Sequence, residues 1–207
     1  MAVLGFIQAR ETSKRLPGKI YADIGGVPLL YHVVDRAKQS ALMDDVILLS
    51  PRPLPDVPEG VRNFWMPANF DENDVLARFA ACLANNPCDY VVRLTADCPF
   101  LDTGLIDQVI ANGIGADYCS NVLTPSFPDG VDCEMMSADL LEWMNERDMS
   151  AYDREHVTSF IRKHHGEFPE MQIVSVENSV DYSSIKTSID TAEDLEIARR
   201  RCVETAG

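Results

Sequence analysis

Cations are scarce in this chain: 18 Lys and Arg stand against 33 Asp and Glu, giving a formal net charge of -15 and an isoelectric point near 4.5. A mean field of that sign repels phosphate, which excludes non-specific binding to DNA, RNA or an anionic membrane surface. No apolar run approaches the roughly 20 residues that cross a bilayer, and the amino terminus lacks the charged-then-apolar layout of a signal peptide. The expectation is a cytoplasmic protein with no membrane and no nucleic-acid partner. Six cysteines, at 82, 88, 98, 119, 133 and 202, form no C-x-x-C pair and no Cys/His cluster. Neither a zinc site nor a disulfide framework is expected from them. Cys98, beside Asp97 and Pro99, is the one expected near a site, with packing outweighing chemistry. A G-x-x-x-x-G-K-[ST] loop is missing too, so Gly25-Gly26 reads as a turn before a helix starting at Pro28.

What is present alternates. At 207 residues and 23.0 kDa the chain suits one domain, 1–207, with a full core. Strands are expected at 2–7, 46–50, 61–65 and 90–95, and helices at 28–40, 72–85 and 103–112. Leu29, Leu30, Val33, Val34 and Ala37 share one helical face, as do Val75, Leu76, Phe79, Ala80 and Leu83. Strands separated by helices imply an α/β fold, a mostly parallel sheet with helices on both faces. Pro51, Pro53, Pro55 and Pro58 deny a crossover helix between the second and third strands, leaving an extended link. From about 117 the rhythm changes: strands at 117–121 and 131–135, helices at 137–147 and 153–165, a strand at 172–176, then 186–189 and a closing helix at 192–203. Residues 1–116 are expected to form a nucleotide-binding half and 117–207 an acceptor-binding half that also shapes any subunit contact.

Three places carry chemistry. Arg10, Lys14, Arg15 and Lys19 concentrate four cations within ten positions of an acidic protein. They lie in a loop leaving the carboxyl end of the first buried strand, where ligands of open α/β sheets bind. A triphosphate needs such local capture. The second place is Val91-Val92-Arg93-Leu94-Thr95-Ala96-Asp97-Cys98-Pro99, a strand running into an acid and a proline. The third is Ile189-Asp190-Thr191-Ala192-Glu193-Asp194, where Asp190 or Thr191 either caps the following helix or serves a site. Two strand-end carboxylates beside a cationic loop suit Mg²⁺, which takes one or two carboxylates plus phosphate oxygens and water. Arg93 either pairs with a buried acid or faces the site, and His156 either touches substrate or sits on an ordinary surface helix. His164-His165 point apart on a helix, so they share no metal.

Taken in order, Gln8-Ala9-Arg10 with Ser13 and Arg15-Leu16-Pro17-Gly18-Lys19, Asp74 to Phe79, Thr95 to Pro99, Pro128 to Glu134, and Glu155-His156-Val157-Thr158 resemble the SpsF-type cytidylyltransferases. These are relatives of acylneuraminate and CMP-KDO synthetases. The resemblance covers nearly the whole chain, departing at the proline-rich link and at Trp65-Met66-Pro67. It implies a Rossmann-like, GT-A-type nucleotidyltransferase with a small β-containing insertion for acceptor or dimer contacts. Such an enzyme joins CMP from CTP to a sugar, a sugar acid or another small acceptor and releases pyrophosphate, in cell-surface polysaccharide biosynthesis, as a homodimer. By that similarity Arg10, Ser13, Arg15 and Lys19, with Thr95 and the backbone of Gln8 and Ala9, hold the nucleotide. Asp97 and Asp190 hold Mg²⁺, while Asp129, Asp132, Glu134, Glu155 and His156 face the acceptor. The implied mechanism is in-line attack on the α-phosphorus, with Arg10, Lys19 and Asp97 as the catalytic groups and no dedicated base if the metal acidifies the acceptor hydroxyl. Rival readings are a transferase using another nucleotide or a nucleotide sugar, and a non-catalytic nucleotide-binding homologue.

Overall fold

In the computed structural model, residues 1–205 are described; positions 206 and 207 of the expected domain lie outside them. The apolar run at the start forms β1 (Val3–Gln8), followed by a single 3-10 turn at Lys19–Tyr21, a small ribbon of β2 (Asp23–Ile24) and β3 (Val27–Pro28), and α1 (Leu29–Lys38). Next come β4 (Asp45–Ser50), β5 (Arg62–Trp65), α2 (Val75–Asn85), β6 (Tyr90–Thr95), α3 (Thr103–Gly113), β7 (Tyr118–Ser120) and β8 (Glu134–Ser137). The chain ends with α4 (Ala138–Asn145), α5 (Ala151–His156), α6 (Ser159–His164), β9 (Ile173–Ser175) and α7 (Ala192–Thr205).

The main sheet has seven strands in the order β5-β4-β1-β6-β8-β7-β9. β5, β4, β1 and β6 run parallel, with Gly5 opposite Val46 on one side and Val92 on the other. β8 alone runs against its neighbours, and β7 pairs with β9 in parallel. This is the expected Rossmann-like α/β arrangement, and the strands of the second half extend the same sheet. Burial on both faces explains why β1 is apolar from Val3 to Ile7 instead of alternating. One core packs α1, α3 and α7 on one face of the sheet, and a second packs α2, α4 and α6 on the other. Leu29, Leu30, Val33, Val34 and Ala37 of α1 are all buried; each large apolar side chain removed from water contributes about 1.5–3 kcal/mol. No helix among the described residues is long and apolar enough to cross a membrane.

The helix expected at 72–85 begins only at Val75, because the Asp74 side chain caps it by accepting the Ala77 N–H, and the structure differs from the sequence reading at four further places. Pro28 precedes α1 as its cap instead of entering the first turn, because it pairs with Asp23 in the ribbon. The strand expected at 131–135 begins at Glu134: the Asn121 side chain accepts the Cys133 N–H at 2.8 Å and donates to the Val131 carbonyl at 3.0 Å, standing in for a ladder. The helix expected at 153–165 is two helices, α5 and α6. Between them Val157 has φ 53 and ψ -69, and the Thr158 N–H donates to the His156 carbonyl at 2.6 Å, the i to i+2 bond of a strained γ-turn. Residues 186–189 form no regular strand and make only an isolated parallel bridge between Asp129 and Lys186.

Candidate active site

The loop from 9 to 18 closes on itself before the Lys19–Tyr21 turn. The Gly18 N–H donates to the Glu11 carbonyl at 3.0 Å, and the Leu16 N–H donates to Ser13 Oγ at 3.4 Å. Gly18 has φ 69, a left-handed conformation that glycine adopts without steric cost and that turns Lys19 inward. The result is a buried ammonium: Lys19 is 8% exposed. Its Nζ lies 2.8 Å from Asp97 Oδ2, 3.1 Å from Asp190 Oδ1 and 2.7 Å from the Ile189 carbonyl. Burial opposes charge on Asp97, but the Lys19 ammonium overrides it and holds the carboxyl below its usual value. Arg15 adds a second cation to Asp190 at 2.9 Å.

At 190–194 it is Thr191, with Asp194, that caps the following helix, and not the Asp190 side chain. Thr191 Oγ1 accepts the Asp194 N–H at 3.2 Å, and Asp194 Oδ2 accepts the N–H groups of Asp190 and Thr191, both at 2.9 Å. This reciprocal capping box leaves the Asp190 carboxylate directed at Lys19 and Arg15. Asp129 fastens the same segment from the other side. Its carbonyl accepts the Thr187 N–H at 2.7 Å and the Ser188 N–H at 3.1 Å, and its Oδ2 accepts from Ser188 Oγ at 3.1 Å. The approach requires Gly130, since a Cβ there would stand 2.3 Å from the Ser188 nitrogen.

These groups line one cleft of about 690 Å³. Gln8, Arg10, Ser13, Arg15, Lys19 and Thr95 border it on the loop side, Asp97 and Asp190 lie at its floor, and Asp129, Asp132, Glu134, Glu155 and His156 border it on the second-half side. Ala9 is 4% exposed and borders a smaller adjoining pocket of about 60 Å³. Arg10 reaches across to Glu155 Oε1 at 3.2 Å, so the expected nucleotide and acceptor sides touch. Thr95 Oγ1 bonds Cys98 Sγ at 3.0 Å behind Asp97. Cys98 is buried, and burial pushes its thiol pKa well up, which fits packing.

Glu134 faces the cleft but is committed. It is 2% exposed, paired with Arg93, and its Oε2 accepts from the Tyr118 hydroxyl at 2.5 Å. Burial opposes its ionisation; the Arg93 guanidinium outweighs burial and lowers its pKa. Arg93 therefore meets both alternatives left by the sequence: it pairs with a buried acid, lines the cleft, and its Nε donates to Gln8 Oε1 at 3.0 Å. His156 stacks on Tyr152 with ring centroids 4.3 Å apart and borders the cleft. Burial lowers its pKa against the pull of Glu155, with Arg93, Arg162 and Arg10 adding to the lowering. His164 and His165 bond separately, to Glu167 and to the Arg162 carbonyl.

Two arginines escaped the sequence reading. Arg78 is 2% exposed on the buried face of α2; one Nη donates to the Glu72 carbonyl at 2.7 Å, while its buried Nε beside the 60 Å³ pocket has no hydrogen-bond partner among the described residues. A cation at i+3 from Val75, inside an apolar stripe, was the available signal. Arg162 borders the main cleft, its Nε 4.0 Å from Glu134 and without a hydrogen bond among the described residues. It had no comparable signal, because the break at Val157 decides where it points.

Residues 4–202 match a family model described as Cytidylyltransferase. Over 204 residues the chain is 30% identical to the spore coat polysaccharide biosynthesis protein SpsF of Bacillus subtilis (strain 168), covering 94% of this chain and 83% of that protein. A solved cytidylyltransferase from Leptospira borgpetersenii serovar Hardjo-bovis (strain JB197) superposes with a TM-score of 0.86 at 28% identity, covering 96% of this chain and 85% of that one. A CMP:2-keto-3-deoxy-manno-octonic acid synthetase complexed with CTP has a TM-score of 0.71 at 16% identity, over 99% of this chain and 100% of that one, a likeness of fold.

Proposed function

Because the chain belongs to the cytidylyltransferase family, as a CTP-dependent nucleotidyltransferase of SpsF type, we propose that it joins CMP to a hydroxyl of a sugar or sugar acid and releases pyrophosphate. The observation that carries this reading is the Lys19 ammonium shared by Asp97 and Asp190 at the floor of a cleft rimmed by a cationic loop. The acceptor class is in keeping with the polysaccharide role in the name of the Bacillus relative.

Residues 1–116 supply most of the nucleotide side. Arg10, Ser13, Arg15 and Lys19 take the triphosphate, with Arg10 and Lys19 stabilising charge as it spreads onto the leaving pyrophosphate. The backbone of Gln8 and Ala9, Thr95 behind the Asp97 loop, and the Nε of Arg78 complete it. Cytosine carries ring acceptors, O2 and N3, that satisfy a buried donor such as Arg78, and an unsatisfied donor is costly. Residues 117–207 supply Asp190 and the acceptor wall of Asp129, Asp132, Glu134, Glu155 and His156, and they form the face of a homodimer.

Asp97 and Asp190 fit a hard divalent cation. Both offer carboxylate oxygens, both reach one positive charge already, and no group of three or more His, Cys, Asp or Glu among the described residues competes for it. Mg²⁺ held there would draw its remaining ligands from phosphate oxygens and water and neutralise charge on the triphosphate. The chain's own residues hold the acceptor hydroxyl in line with the α-phosphorus and shield it from water.

A pyrophosphate-release screen with CTP, Mg²⁺ and a panel of sugars and sugar acids tests the reading. Release from CTP but not from UTP, GTP or ATP is expected. Binding of CTP without product from any acceptor would leave only a nucleotide-binding protein.

A further inference from the structure

Four carboxylates stand on the acceptor wall, and three are engaged. Glu134 is taken by Arg93 and Tyr118, Asp129 by Ser188, and Glu155 by Arg10. Asp132 lines the same cleft, and no side chain among the described residues donates to it or pairs with it; the backbone of Gly130 is the one donor directed at it. Its placement is fixed from both sides, because the single side chain of Asn121 holds the backbone of Val131 and of Cys133. In this extended stretch alternate residues face opposite ways, so Cys133 is fully buried while Asp132 and Glu134 face the cleft. A rigidly held, half-buried carboxylate with no cation of its own is costly to keep unless the site uses it.

We propose that Asp132 is the general base that takes the proton from the acceptor hydroxyl, in place of the base-free attack that the sequence alone suggested. The proposal rests on the CMP-transfer reading above. As the acceptor O–H gives its proton to the Asp132 carboxylate, the oxygen's electron pair forms the bond to the α-phosphorus. The bond from that phosphorus to pyrophosphate breaks, and its electron pair leaves on pyrophosphate. The proton then passes to water at the cleft mouth, and Asp132 is restored.

The surroundings tune the carboxyl for this role. Burial, then the carboxylates of Asp129 and Glu134, push its pKa up to about 6, against the Gly130 backbone and Arg93. An acid poised near the working pH is both deprotonated often enough to accept and basic enough to compete for the proton.

The test is the pH profile of kcat/KM for the acceptor in wild type and in Asp132→Asn. In wild type the rate is expected to fall tenfold per pH unit below about 6. In the asparagine variant kcat is expected to drop about 10²–10⁴-fold and the acid limb to vanish, while CTP affinity in Mg²⁺ is unchanged. Asp132→Glu is expected to restore the acid limb. An active wild type whose asparagine variant keeps that limb overturns the base and leaves CMP transfer standing. Wild type without CTP-dependent pyrophosphate release overturns both. A carbon-13 NMR titration of the Asp132 carboxyl, assigned with the asparagine variant, decides independently of turnover: a midpoint near 6 supports the base, and one below about 4 overturns it.

Discussion

The backbone N–H of Ile189 donates to the carbonyl of Asp97 at 2.8 Å. This bond joins the loop after β6 to the segment before α7, and so aims Asp97 and Asp190 at one ammonium although no regular strand connects them. The proposed metal pair is thus set by one backbone bond, one buried lysine and one capping box, and each can be broken separately.

Lys19→Ala leaves two carboxylates facing each other across the space of a buried ammonium. Loss of one partner of a buried ion pair costs about 3–5 kcal/mol, less where solvent reaches the survivors, and Asp97 and Asp190 keep 30% and 21% side-chain exposure. The variant is expected to melt earlier than wild type, to gain more thermal stability from added Mg²⁺ than wild type does, and to lose at least about 100-fold in turnover. Thermal melts with and without Mg²⁺, beside the pyrophosphate assay, check this. A folded variant with normal turnover would refute the role given to Lys19.

Glu134 sets an acid limb to stability. Burial works against its charge, Arg93 more than compensates, and its folded pKa lies below the unfolded value. Such a group contributes stability that is present above an unfolded pKa of about 4.3 and is lost as pH falls through the folded pKa. Glu134→Gln is expected to be less stable at pH 7 by about 3 kcal/mol, since Arg93 loses its counter-ion, and to lose less stability than wild type on acidification from pH 5. Urea unfolding at several pH values measures both effects.

Arg78→Met removes the donor beside the smaller pocket while keeping much of the buried aliphatic volume. A hydrogen bond from a charged donor is worth about 1.5–3 kcal/mol, so CTP affinity is expected to fall about 10- to 100-fold. Calorimetric titration with CTP, and circular dichroism to confirm the helix, decide the matter. Unchanged affinity in a folded variant excludes Arg78 from base recognition.

Gly130→Ala places a Cβ 2.3 Å from the Ser188 nitrogen at a φ of 108. The 187–188 backbone must move, at a cost of about 1–3 kcal/mol, and the shift is transmitted to Asp190. Reduced stability and weaker Mg²⁺-dependent stabilisation are expected together. At Gly166 an added Cβ meets nothing within 4 Å, so Gly166→Ala is the neutral comparison.

The faces of α1 and α2, the absence of a helix between β4 and β5, the end of β6 at Thr95 and, to within one residue, the end of β1 were legible because they depend on local periodicity and on proline. The split at Val157 was not. Nothing in Glu155-His156-Val157-Thr158 forbids a continuous helix; the break sets fully buried Val157 and Thr158 into the core beneath α5 and α6 at the cost of backbone strain. The start of β8 was equally hidden, since an asparagine twelve residues from Cys133 takes the bonds that a ladder would.

By itself, the order of residues determined which side chains carry charge near which strand ends, because alternation, proline and glycine act over a few positions. Tertiary structure alone decided which charges meet: that Lys19 satisfies two aspartates, that Glu134 is spent on Arg93 and that Asp132 lies in the cleft with no side-chain partner among the described residues. Those outcomes depend on contacts between segments far apart in the chain, where burial makes each unmatched charge costly and the packing of the whole sheet settles which partner arrives.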